Sequence, residues 1–157
     1  MDVDTIASVA TAIGVAVAVC QFRESVKLSR SEFEDSLDQQ YRELSFQIPV
    51  DVILSGSMKD IDTRDLRHAR ESIYNYLDLC NEQVYLRSKN RVTAARWKEW
   101  NSGIEQNLQR AYFATIWKEV KRKAPGAFSY LEALEVSDFK KDPIENRFDV
   151  FGLFKTR

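Results

Sequence analysis

The sequence predicts an all-α fold: one long N-terminal helix, apolar and then amphipathic, followed by a helical bundle. Three observations predict it. Of 157 residues only 5 are Gly and 3 are Pro, too few for the closely spaced turns of sandwiches or doubly wound sheets. Charged residues make up 30% of the chain, and apolar residues recur among them at spacings of three and four, the period of a helix face. From Asp4 to Gln47 there is no proline and Gly14 is the sole glycine, so nothing in the sequence breaks a single helix.

Length and composition bound the function. The chain suits one domain with a proper core. A formal net charge of -1 gives no case for a polyanionic partner, so no stable nucleic-acid binding is expected. Cys20 and Cys80 lack CxxC spacing and suit a reducing compartment or buried apolar roles. A single histidine, His68, excludes most His-based metal sites. The sequence has no Walker loop, GxSxG, HExxH or Gly-rich phosphate cradle. No catalytic residue, metal or cofactor is therefore expected, and the protein is read as a non-enzyme.

The opening helix carries the most information. "TIASVATAIGVAVAVCQF", Thr5 to Phe22, is uncharged throughout. Its leader holds Asp2 and Asp4, not the basic n-region of a secretory signal. As a helix it would be about 27 Å long, at ~1.5 Å per residue, enough for a thin bilayer core. Arg23, Lys27 and Arg30 follow it, so the positive-inside rule places the remainder of the chain in the cytoplasm. Residues 1–22 are thus expected to be a transmembrane anchor. Ala10, Gly14 and Ala18 form a small-xxx-small ridge that lets helices approach closely in lipid. Ser8, Thr11, Gly14 and Ala18 are the positions expected at helix contacts or a lumen. The implied partners are the bilayer and further copies of the chain. An Ala-rich core helix of a soluble multi-chain bundle is the competing reading.

Residues 23–136 read as the bundle. Phe33, Leu37, Tyr41, Leu44 and Ile48 continue the helical period until Pro49, and "IPVDVILSG" reads as a short turn closed by Gly56. Asp62 or Thr63 caps the next helix, whose apolar face carries Leu66, Ala69, Ile73, Leu77, Cys80 and Val84. Asn90 suits a left-handed C-terminal position, and Thr93 caps a helix bearing Trp97, Trp100, Ile104 and Leu108. Phe113, Ile116, Trp117 and Val120 mark another helix before Pro125-Gly126, and Phe128, Leu131 and Leu134 mark a last one. Residues 137–157 form an aromatic and charged tail without a clear period.

Several constellations invite chemistry and favour structure. Asp78 and Glu82 share a helix face at i,i+4, but no histidine or second acidic pair joins them. With Asn81 they are read as a polar network that fixes helix register. The three tryptophans fall on apolar stripes and are read as core. Arg87, Lys89 and Arg91, and Lys118, Lys121, Arg122 and Lys123, are basic clusters that suit anionic headgroups or a solvated face equally. Arg64 and His68 invite comparison with the Arg-x(4–6)-His motif of HEPN ribonucleases, but only three residues separate them. An atypical HEPN-like ribonuclease acting through His68 is therefore a subordinate alternative.

Tyr76, Leu79, Cys80 and Glu82, then Trp97, Trp100, Gly103 and Ile104, then Phe113 and Trp117, resemble the pattern of a family of short bacterial proteins of unknown function. Its members pair an N-terminal transmembrane helix with a cytoplasmic helical domain, and the resemblance covers roughly residues 33 to 135. It implies a single-pass protein of the bacterial inner membrane. The plan is also similar to the membrane accessory proteins of type VI-B CRISPR systems, which carry a divergent HEPN-like domain. That resemblance implies a self-associating membrane effector, a pore in anti-phage defence, with a protein partner in the defence system.

Overall fold

The computed structural model describes residues 2–54 and 63–144, the side chains of 3–7, 9 and 10 excepted. Gly56, Asp62, Phe148, Phe151 and Phe154 lie outside these residues. Within them the fold is all-α: α1 Val3–Phe46, α2 Val50–Leu54, α3 Thr63–Ser88, α4 Ala94–Leu108, α5 Ala111–Lys123 and α6 Ser129–Val136.

The chain divides into two compact units, Met1–Leu37 and Asp38–Arg157, with the boundary inside α1. The sequence places its boundaries after residues 22 and 136 instead. Composition changes at Arg23, but packing changes later, where Asp38 and Tyr41 meet Trp100 and Tyr76. Residues 137–144 belong to the second unit for a similar reason, given below. Among the described residues no helix is long and apolar enough to cross a membrane.

In the first unit the described apolar side chains of the opening stretch of α1 face outwards, whereas Leu37 at the unit's end is buried. Ile13, Val15, Val17, Val19 and Phe22 are 60%, 59%, 49%, 45% and 70% exposed. Beyond them Lys27 pairs with Glu24 at 2.7 Å, an exposed ion pair one turn apart.

The second unit is built on α3. Its buried positions include Ala69, Ile73, Tyr76, Leu77, Cys80 and Val84, against which α2, α5 and α6 pack. Leu131 and Leu134 of α6 are fully buried, as are Ile73 and Leu77 of α3. Each such side chain contributes on the order of 1.5–3 kcal/mol by leaving water. Trp117 and Phe128 meet edge to face at 6.0 Å and close the α5–α6 side of the core.

Local signals explain the helix ends. Asn90 is left-handed (φ 56°); the Arg91 amide donates to Leu86 and the Asn90 amide to Arg87, which closes α3 in a Schellman motif. Thr93 Oγ1 accepts from the Arg96 amide at 3.3 Å and starts α4. Pro125 and Gly126 (φ 80°) turn the chain from α5 to α6, with the Ala127 amide donating to Ala124 at 3.2 Å. α6 has no cap from its own first residue. Asn81 of α3 supplies it, its Oδ1 accepting from the Tyr130 and Leu131 amides, each at 3.1 Å.

Residues past α6 are held by Arg87. Its Nη2 donates to Asp142 Oδ2 at 2.6 Å, its Nε to Oδ1 at 2.9 Å, and its Nη1 to the Val92 carbonyl at 2.7 Å. Asn101 Nδ2 also donates to the carbonyl of Phe139, a residue in the left-handed region. Partial burial pushes the Asp142 carboxyl up, but hydrogen bonds from Arg87 and the Ile144 amide outweigh it and hold the group below its ordinary 3.8. A depressed carboxyl adds stability at neutral pH that is lost as pH falls through its folded value. Asp142→Asn is therefore expected to lower unfolding stability at pH 7 by about 2 kcal/mol. Urea midpoints at pH 7 and pH 3 check this, and the gap to the unaltered chain should narrow at pH 3.

Candidate functional site

A cleft of about 350 Å³ opens in the second unit, lined by the end of α1, the middle of α3 and one face of α4. Helical spacing places its residues. Asp38, Tyr41 and Arg42 are i, i+3 and i+4 on α1, while Tyr76 and Gln83 are i and i+7 on α3. On α4, Arg96, Glu99, Trp100, Gly103 and Ile104 repeat the same rhythm. The volume lies in the range of small-molecule sites.

Asp38 organises one wall. Its Oδ1 accepts from Trp100 Nε1 at 2.7 Å, and its Oδ2 lies 2.9 Å from Arg96 Nη1. The same guanidinium reaches Glu99 at 3.4 Å, so both acidic groups of the cleft share one cation. The bond satisfies the indole N–H of the buried Trp100.

Aromatic rings form the opposite wall. Tyr41 and Tyr76 lie 6.0 Å apart at 57°, and Tyr76 meets Phe113 edge to face at 5.6 Å behind them. The Tyr76 hydroxyl accepts from Asn107 Nδ2 at 3.0 Å. Burial, and next the neighbouring Cys80, push the Tyr76 phenol well above 10.0, so it stays neutral. Burial likewise pushes the Cys80 thiol up to about 12, which leaves it unreactive at neutral pH.

Two polar groups in the cleft have no such engagement. Gln83 is only 4% exposed, and among the described residues its side-chain amide has no hydrogen-bond partner. Arg42, at the exposed edge, has no acidic partner among the described residues. The described residues that line the cleft include no Ser, Cys or His.

The residues singled out in the sequence lie elsewhere. Ser8, Thr11, Gly14 and Ala18 are exposed on α1 in the first unit, and a Cβ added at Gly14 would meet nothing within 4 Å. Of Asp78, Asn81 and Glu82, Asn81 alone hydrogen-bonds to another helix among the described residues. Asp78 and Glu82 are exposed, so the three do not form one buried network. The reason is angular: the broad buried stripe of α3 runs through Tyr76, Leu77, Cys80 and Val84, and positions 78 and 82 face away from it.

The basic clusters are also divided. Arg87 is buried against Asp142, whereas Lys121 pairs with Glu135 at 2.6 Å and Lys123 with Glu119 at 2.6 Å. Arg64 and His68 are exposed on the first turns of α3. Trp97, Trp100 and Trp117 are buried. Among the described residues no cluster of three or more His, Cys, Asp or Glu could hold a metal ion.

Gln83 is the cleft residue the sequence could have flagged, as a polar side chain three positions after Cys80 on an apolar stripe. Asp38 and Arg42 carried no such signal, being ordinary charges on a charged stretch. No family model, curated protein or solved structure matches this chain.

Removing the Asp38 carboxylate should loosen the cleft wall. Asp38→Ala leaves the Trp100 N–H without its acceptor and takes the nearer of two carboxylates from the Arg96 guanidinium. The expected loss is on the order of 1–3 kcal/mol in a denaturant titration, with tryptophan emission shifted to the red.

Proposed function

We propose that this chain is a membrane-anchored, self-associating helical protein that acts as a non-enzymatic effector, its second unit on the cytoplasmic side. The supporting observation is the exposed apolar surface of α1. Ile13, Val15, Val17 and Val19 alternate along the helix, and successive positions two apart point about 200° from each other. The apolar surface therefore runs all round the helix and is not a stripe. A helix of that kind is stable inside lipid or wholly enclosed by protein. The acidic residues before it and Arg23, Lys27 and Arg30 after it favour lipid, and orient it.

Self-association is supported by the small ridge and by the open space at Gly14. Copies packed along that ridge would bring Ser8 and Thr11 towards a common axis. A polar-lined pore of this type is how such a protein would serve in defence against phage. A second reading draws on the same exposed surface: a soluble interaction module whose first helix is buried in a multi-chain bundle.

A carbonate wash of membranes from cells expressing the full chain separates the two. Retention in the pellet, with a chain beginning at Arg23 released to the supernatant, is the expected result. Release of the full chain would favour the bundle. Gly14→Leu should reduce the oligomer mass in mild detergent, by light scattering, while leaving the carbonate result unaltered.

A further inference from the structure

Two groups in the cleft of the second unit do nothing for the fold. Gln83 is 4% exposed, and its amide has no hydrogen-bond partner among the described residues yet is not sealed from solvent, so its donor and acceptor face the cleft uncommitted. It lines the cleft, so a ligand can reach both its N–H₂ and its carbonyl. Arg42 stands at the exposed edge of the same cleft. Asp38 and Glu99 both engage Arg96, and Arg42 brings the charge of the cleft lining to zero, so Arg42 is the cleft cation without an acidic partner among the described residues.

We propose that this cleft binds a single nucleoside monophosphate. The base would lie among Tyr41, Tyr76 and Trp100, with one edge on Gln83 and its phosphate on Arg42. Each feature selects one part of that molecule. A primary amide offers an adjacent donor and acceptor, which match the edge of a purine or pyrimidine. Aromatic walls favour a flat π system over a sugar or an aliphatic acid. A guanidinium binds phosphate through paired N–H bonds. The volume of about 350 Å³ admits one nucleotide and excludes a strand. This inference stands apart from the membrane reading and holds whether or not α1 enters lipid.

Gly103 provides the control. It lines the cleft, and a Cβ added there meets nothing within 4 Å, so a side chain at this position fills the cleft without disturbing the helix. The full chain in mild detergent is titrated calorimetrically with AMP, GMP, CMP and UMP, with the four nucleosides, and with inorganic phosphate. At least one monophosphate should bind with Kd on the order of 10–100 µM, at least about tenfold tighter than its nucleoside, and phosphate alone should not bind.

Arg42→Gln should weaken the monophosphate about tenfold and leave the nucleoside unaffected. Gln83→Met should shrink the difference among the four bases. Gly103→Leu should abolish binding with no fall in melting temperature. Failure of all four monophosphates to bind below about 1 mM would overturn the proposal. So would equal binding of inorganic phosphate, or undiminished binding by the folded Gly103→Leu chain.

Discussion

The second unit depends on a single constraint: α3 must be covered over about half of its circumference. Eleven of its 26 residues are buried, too many for a helix resting on one neighbour, so α2, α5 and α6 are all required to shield it. Its buried polar positions then decide what else is ordered. Asn81 lends its carbonyl oxygen to the start of α6, a helix with no cap of its own. Arg87 reaches past the end of α6 to hold Asp142, and through it the residues that follow. Apolar burial supplies most of the stabilisation, while these two side chains supply the direction in which later segments leave the core.

The first unit presents the opposite situation. Between Ile13 and Leu28 its large apolar residues are spread around α1 and are 45–70% exposed. Water is a poor environment for such a surface at this length. The contrast gives the chain its division of labour. One unit encloses an apolar core and carries a shaped cleft, and the other carries an apolar exterior.

Much of the helical architecture was legible in the sequence, because periodicity and end signals act locally. Asn90 and Thr93 sit where their side-chain chemistry suits them, one left-handed and one accepting a backbone amide. The tryptophans lie in the core, as their spacing on apolar stripes implied. The cleft was not legible, since Asp38, Gln83 and Trp100 come from three helices and meet only through tertiary packing. The role of Arg87 was hidden for the same reason. It sits among Lys89 and Arg91 in the sequence and reads as one more surface cation, yet its partner lies 55 positions away. Asp78 and Glu82 misled in the other direction, because proximity along a helix says nothing about which face is covered.

Hydrogen exchange of the full chain in lipid nanodiscs, followed by mass spectrometry, addresses the placement of α1 directly. Residues 11–22 and residues 23–33 belong to the same helix and differ chiefly in charge. If the apolar stretch lies in lipid, its amides should remain protected for hours after those of 23–33 have exchanged. Similar exchange in the two stretches would contradict a membrane anchor and leave the apolar surface to a protein partner.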